Sequence, residues 1–198
     1  MVQRLLPIVL AQLAGSADAQ FDKGTWLFEV VGGPVSPSNP SVTVNLYAGF
    51  PIVAPFTAFG DAGLSITSSD PTGQFTDLAP GAGMLLSFHI LGTPNATGGV
   101  SGLHFAQVNF ANVSLTTNPI HLWQATWTTT DFTPRTVDLA SSATTSFKVH
   151  DDHNKVIAEV QLYPDKFEHG SGVIQVVPSP SGAILLAASS VLAMRRRR

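Results

Sequence analysis

The feature that most restricts this chain is the shortness of its apolar runs. From Thr25 onward, strand-like segments are cut off by Gly, Pro, Asn and Asp before any of them holds a helical apolar period for three turns. The clearest is Ser41–Ala48, where Val42, Val44 and Leu46 fall on one face and Thr43 and Asn45 on the other. The same reading predicts strands over Trp26–Val31, Ala62–Thr67, Met84–Leu91, Leu103–Phe110, Ile120–Thr128, Thr144–His150, Val156–Tyr163 and Val173–Val177. Turn chemistry fills the intervals, as in Ser69-Asp70-Pro71-Thr72-Gly73 and Gly92-Thr93-Pro94-Asn95.

Many short strands between frequent turns predict an all-β fold, an antiparallel β-sandwich of immunoglobulin-like or jelly-roll type. The strongest hairpin is Ser146–Tyr163. Phe147 and Val149 lead into the polar turn Asp151-Asp152-His153-Asn154-Lys155, and Val156, Ala158, Val160 and Leu162 return on one face. Charged residues are only 12% of the chain, about half the usual share, which suits strands that alternate apolar with small polar residues. Cysteine is absent, so neither disulfides nor thiolate chemistry can contribute and stability rests on an ordinary core.

Charge is unevenly distributed. Four of the ten basic residues are Arg195–Arg198, whereas Gln20–Val177 holds five basic and twelve acidic residues, a balance of −7. Nucleic acid is not an expected partner of such a body, because phosphate binding needs clustered Lys and Arg.

The two ends read as processing signals flanking a body at residues 20–177. Residues 1–19 combine Arg4, the apolar stretch Leu5–Gly15 and the small residues Ala17 and Ala19, the pattern of a signal peptide cut by signal peptidase to leave Gln20 first. At the other end, Val177-Pro178-Ser179-Pro180 precedes the uncharged stretch Gly182–Met194, which includes Ile184, Leu185, Leu186, Val191 and Leu192, and then Arg195, Arg196, Arg197 and Arg198. Prolines stop a helix from extending backwards. Thirteen uncharged residues make a helix of only about 20 Å, short for a hydrocarbon core of about 30 Å. The arginines are expected on the cytoplasmic side, with the body outside.

This order of parts over residues 178–198 resembles a PEP-CTERM sorting signal, with Ser179 standing where that family usually has Glu. The resemblance implies an exosortase-type membrane peptidase as partner and processing near the Pro-x-Pro motif. It also implies a precursor tethered in the inner membrane, then a protein of the cell surface or extracellular matrix, in company with extracellular polysaccharide. Within the body, Asn39-Pro40-Ser41-Val42-Thr43-Val44 resembles the opening strand of cohesin-like secreted sandwiches.

Catalytic motifs are missing: there is no Gly-x-Ser-x-Gly, His-Glu-x-x-His, P-loop or dinucleotide fingerprint. No catalytic residue and no cofactor are expected. Glu29, Glu159 and Glu168 are the only glutamates, and His89, His104, His121 and His169 stand singly. His150-Asp151-Asp152-His153 is the one dense group of metal-ligand types; Asp151, Asp152 and Asn154 could supply oxygens to calcium, or serve as an ordinary hairpin turn. Trp123 and Trp127 share a strand face beside His121, which leaves two fates open. They could form an exposed platform for sugar rings, or a stripe of the core. The expected function is a non-enzymatic surface or matrix protein, the alternative a carbohydrate-binding module.

Overall fold

The computed structural model describes residues 24–49, 58–84, 88–106, 118–150, 156–159 and 167–178. The signal segment 1–19, the turn 151–155 and everything beyond Pro178, including Ser179, Pro180 and the expected apolar helix, lie outside the described residues. In chain order the strands are β1 Gly24–Val31, β2 Ser41–Gly49, β3 Ala58–Ser68, β4 Gln74–Pro80, β5 Phe88–Pro94 and β6 Val100–Ala106. There follow β7 Ile120–Thr128, β8 Arg135–His150, β9 Val156–Glu159, β10 Phe167–Glu168 and β11 Ser171–Val176.

These strands form two sheets. One runs β10-β1-β2-β7-β4, the other β11-β8-β3-β6-β5 with β9 also beside β8. Strand pairing is antiparallel throughout, except for a two-residue parallel pair between β1 and β10. The antiparallel β-sandwich read from the sequence is therefore the fold.

Alternation decides what is buried. Val42, Val44 and Leu46 of β2 face inward with Trp123, Ala125 and Trp127 of β7, and Ala62, Leu64, Ile66, Leu103 and Phe105 meet them from the other sheet. All three tryptophans, Trp26, Trp123 and Trp127, are 0% exposed. The Trp127 ring lies against Gly73, where a Cβ would collide with it. Trp123 ties the sheets together through its Nε1–H, which donates to the Leu91 carbonyl on β5 (3.2 Å).

Several boundaries differ from the expected ones. The segment read as a strand over Met84–Leu91 begins instead with a 3₁₀ turn at Ala82–Met84, and its strand runs on from Phe88 to Pro94. Gly92 adopts φ +77°, a conformation that lets this edge strand bend between the pairs Leu91↔Leu103 and Thr93↔Ser101 without ending. β6 starts at Val100, three residues ahead of Leu103; residues 107–110 of the expected strand lie outside the described residues. β8 begins at Arg135, nine residues ahead of Thr144: Val137 and Leu139 alternate into the core and pair with β11, ahead of the run Ala140–Thr145, whose small residues carry no apolar alternation. β4 was not expected at all. Its alternation is broken by Asp77 (φ 51°) and by an irregularity between Thr76 and Ala79. β8 and β9 of the expected hairpin pair antiparallel, with His150 opposite Val156; its turn and residues 160–163 lie outside the described residues.

Trp127 Nε1 is buried and meets no acceptor among the described residues, unlike Trp123 Nε1. Trp123→Phe should therefore destabilise the fold by about 1 kcal/mol more than Trp127→Phe, the net worth of one hydrogen bond. Denaturant titration measures both, and equal losses would show that the bond to Leu91 contributes nothing.

Candidate functional site

A sandwich offers its outer sheet faces and its loops for function, and the two faces here differ in chemistry. On the outside of the six-stranded sheet, Phe88 and Ile90 of β5 are 52% and 48% exposed. Both alternate with residues that face inward, so their exposure follows from strand periodicity. Opposite them on β6 are Ala106 and His104. The His104 ring meets Phe88 edge-on, with centroids 5.8 Å apart at 83°, and its Nε2 pairs with the Asp61 carboxylate on β3. The result is an apolar patch with one acidic partner beside it.

The outside of the five-stranded sheet is polar. Asn45 Nδ2 and the Tyr47 hydroxyl of β2 both donate to Glu29 Oε2 on β1 (2.9 Å each). Tyr47 also stacks on His121 of β7, with centroids 4.7 Å apart at 25°. Burial, and then the hydrogen bond to Glu29, push the Tyr47 phenol up to about 12. The phenol therefore stays protonated and keeps donating.

A third feature closes one end of the sandwich. The segments Ser68-Ser69-Asp70-Pro71-Thr72 and Thr129-Thr130-Asp131-Phe132-Thr133 share the pattern hydroxyl-x-Asp-x-Thr and fold alike. In each, the Asp amide donates to the first hydroxyl oxygen (3.1 Å in both). The Asp Oδ1 accepts from the amide and hydroxyl of the Thr, at 2.8 and 2.7 Å for Asp70 and 2.9 and 2.7 Å for Asp131. Arg135 spans the two turns. Its Nε and Nη2 donate to Asp70 Oδ2 (3.0 and 2.6 Å), while Nη1 donates to the carbonyls of Asp131 (2.8 Å) and Thr133 (2.9 Å). Nη2 also reaches Thr72 and Thr129 Oγ1, both at 3.2 Å. The repeated pattern was the available sequence signal. Its meaning depends on the fold, which brings two turns 61 residues apart onto one guanidinium.

The structure places the sequence-derived candidates as follows. Trp123 and Trp127 belong to the core, so the sugar-platform expectation is corrected: an indole with no exposed face cannot stack on a ring from solvent. Glu29 is absorbed in the Asn45–Tyr47 network. Among the described residues, no three His, Asp or Glu side chains group as a metal site; Asp151, Asp152 and Asn154 lie outside those residues. Asn95, the head of an Asn-Ala-Thr sequence, accepts from Thr97 at Oδ1 and so shapes its own turn (2.7 Å). Val177 marks the end of the described pairing, its amide donating to the Val35 carbonyl (2.8 Å). Ala17, Ala19, Ser179, Pro180, Ile184, Leu185, Leu186, Val191, Leu192 and Arg195–Arg198 lie outside the described residues. No helix among the described residues is long and apolar enough to cross a membrane.

No family model and no curated protein sequence matches this chain. Solved structures do. A cohesin module from a family 33 glycoside hydrolase of Clostridium perfringens superposes with a TM-score of 0.53 at 11% identity, covering 80% of this chain and 99% of that one. The seventh ScaB type I cohesin of Pseudobacteroides cellulosolvens gives 0.51 at 14% identity, over 77% and 94%. The fold is cohesin-like. The stretch Asn39–Val44, which carried that resemblance in the sequence, leads into β2 and so follows β1.

The Arg135 clamp makes stability depend on acid. Burial pushes the Asp70 carboxyl up, but the hydrogen bonds from Thr72 and Arg135, with the Arg135 charge, outweigh it and hold the carboxyl below its ordinary value. A depressed carboxylate stabilises the fold fully above its unfolded pKa, near 4, and this contribution is lost as pH falls through the lower folded value. Asp70→Asn should cost about 1.5–3 kcal/mol at pH 7, the worth of a charged hydrogen-bonded partner, since the guanidinium keeps only the exposed Asp131 carboxylate (3.4 Å) and neutral acceptors. It should also flatten the fall in unfolding free energy between about pH 5 and pH 2, read by denaturation at a series of pH values. An unchanged acid slope would exclude Asp70 as its source.

Proposed function

We propose that this chain is a non-enzymatic binding module, exported from the cell, that offers the outer face of β8-β3-β6-β5 to a protein partner. The observation that carries the reading is the half-exposed pair Phe88 and Ile90, set on the outer face of a cohesin-like sandwich. Large apolar side chains left in water on a sheet face are a cost that association removes. The body's balance of −7 adds that the partner has an apolar centre and a basic rim, for electrostatic complementarity. The polysaccharide alternative has lost the surface it was given, because both of its indoles are buried.

Delivery and processing complete the proposal. Signal peptidase cuts after Ala19, and the tail 178–198 holds the body outside until an exosortase-type peptidase processes it near Pro178-Ser179-Pro180. Supporting this order, the described pairing ends with the bond from Val177 to Val35, one residue before the Pro-x-Pro strip. A cut within 178–180 leaves every described strand pairing intact.

Intact-mass analysis of the surface form should give a chain starting at Gln20 and ending within 178–180. A chain retaining Met1 would sink the export claim. For the binding face, a photo-crosslinking aromatic residue at position 88 should capture a discrete partner on the cell surface, whereas the same residue at position 43, on the outside of the other sheet, should not. Ile90→Asp should reduce that capture roughly tenfold, as expected for an interface centre worth about 1.4 kcal/mol or more. Equal capture from both positions would contradict the assignment.

A further inference from the structure

Gly81–Met84 carries the chain from β4, at the edge of one sheet, toward β5, at the edge of the other. This turn lies flat on β7. Gly81 N–H donates to the Leu122 carbonyl (2.8 Å), Met84 N–H closes back onto Gly81 O (2.9 Å), and a Cβ at Gly81 or Gly83 would collide with the His121 carbonyl. Leu122 is the extra residue between the pairs Leu46↔Trp123 and Tyr47↔His121, so a bulge sets the direction of the His121 ring.

The partners of that ring settle its tautomer. Nε2 lies 3.1 Å from the Trp123 carbonyl oxygen, which can only accept, so Nε2 carries the hydrogen. In the neutral ring Nδ1 is then a lone pair, and Ala82 N–H donates to it (3.3 Å). Protonation puts a second hydrogen on Nδ1, facing the Ala82 hydrogen. Two donors cannot bond, and the contact must open.

We propose that His121 is a pH-operated latch: when neutral it bonds the Ala82 amide of the Gly81–Met84 turn to β7, and when protonated it gives that bond up. Of the elements packed against it, β1 faces it with Glu29 and β2 with Tyr47; the one ionisable residue of β4, Asp77, is exposed and lies along β7 between Thr126 and Gln124. The turn itself and the rest of β7 carry none. Burial holds the His121 pKa below its ordinary value, against the opposing pull of the Trp123 carbonyl and the Glu29 charge. The latch therefore stabilises fully above pH about 6.5, the unfolded value, and is lost as pH falls from there through the depressed folded value. Because the turn leads to β5, which bears Phe88 and Ile90, acid would loosen the edge of the proposed binding face. That consequence, unlike the latch, rests on the function proposed above.

The test is an NMR titration of the full ¹⁵N-labelled chain in detergent micelles between pH 7.5 and pH 5. The ring should show the Nε2–H tautomer at pH 7.5, and Ala82 amide protection, corrected for intrinsic exchange, should fall roughly 3- to 10-fold as the ring protonates, the loss expected for one hydrogen bond. His121→Phe keeps a ring against Tyr47 but has no Nδ1, so its Ala82 amide should exchange fast at every pH. Should that variant not fold, the wild-type titration decides alone. A ring that titrates while Ala82 protection stays constant, or one carrying its hydrogen on Nδ1, would overturn the latch. Neither result depends on any partner, so failure here is separable from failure of the binding reading.

Discussion

Everything else in this molecule depends on the burial of large aromatic side chains between two sheets. A chain without cysteine has no disulfide between its layers and holds them together mainly by apolar contact. It does so with Trp26, Trp123 and Trp127, all fully enclosed, and with Phe105 from the facing sheet. Each such side chain contributes about 1.5–3 kcal/mol or more through the area it removes from water. The geometry this demands is narrow. Gly73 is bare where the Trp127 ring passes, and β5 is drawn to β7 by the Trp123–Leu91 hydrogen bond.

Polar groups then determine how the ends and edges of this sandwich are sealed. Arg135 joins two turns built to the same hydroxyl-x-Asp-x-Thr plan, satisfying two carbonyls of the second and the nearly buried carboxylate of the first at once. His121 does related work at another boundary, where the chain leaves one sheet for the other. The two differ in their response to pH. A guanidinium stays charged throughout the physiological range, so its partner Asp70 sets the limit of that clamp. An imidazole changes state within the range, so the contact it makes is conditional.

How much of this was legible beforehand varies with the element. Ile120–Thr128 was readable to the residue because its apolar and polar positions alternate on either side of the bulge at Leu122. β4 was not, since Asp77 and the adjoining irregularity scramble the alternation that marks a strand. In β8 the run Ala140–Thr145, small residues whose placement in a sheet comes from neighbouring strands, cut the short alternation of Val137 and Leu139 off from the strand read at Thr144. Trp123 and Trp127 were correctly put on one face, but periodicity gives a face without saying whether water or another sheet lies against it. Phe88 and Ile90 show the same ambiguity from the other side: they too are apolar at period two, and they stand in solvent.

By itself the sequence determined the fold class, the absence of disulfide and thiol chemistry, and the acidic character of the body. These follow from local alternation, turn chemistry and composition, which need no knowledge of distant contacts. Only the tertiary structure decided which faces are inside, that Arg135 serves two turns at once, and that His121 bonds the passage between sheets. Each of those depends on residues far apart in the chain meeting across a sheet or between sheets. The same reason applies to the binding face: a face is defined by what packs behind it, and that is settled when the two sheets close.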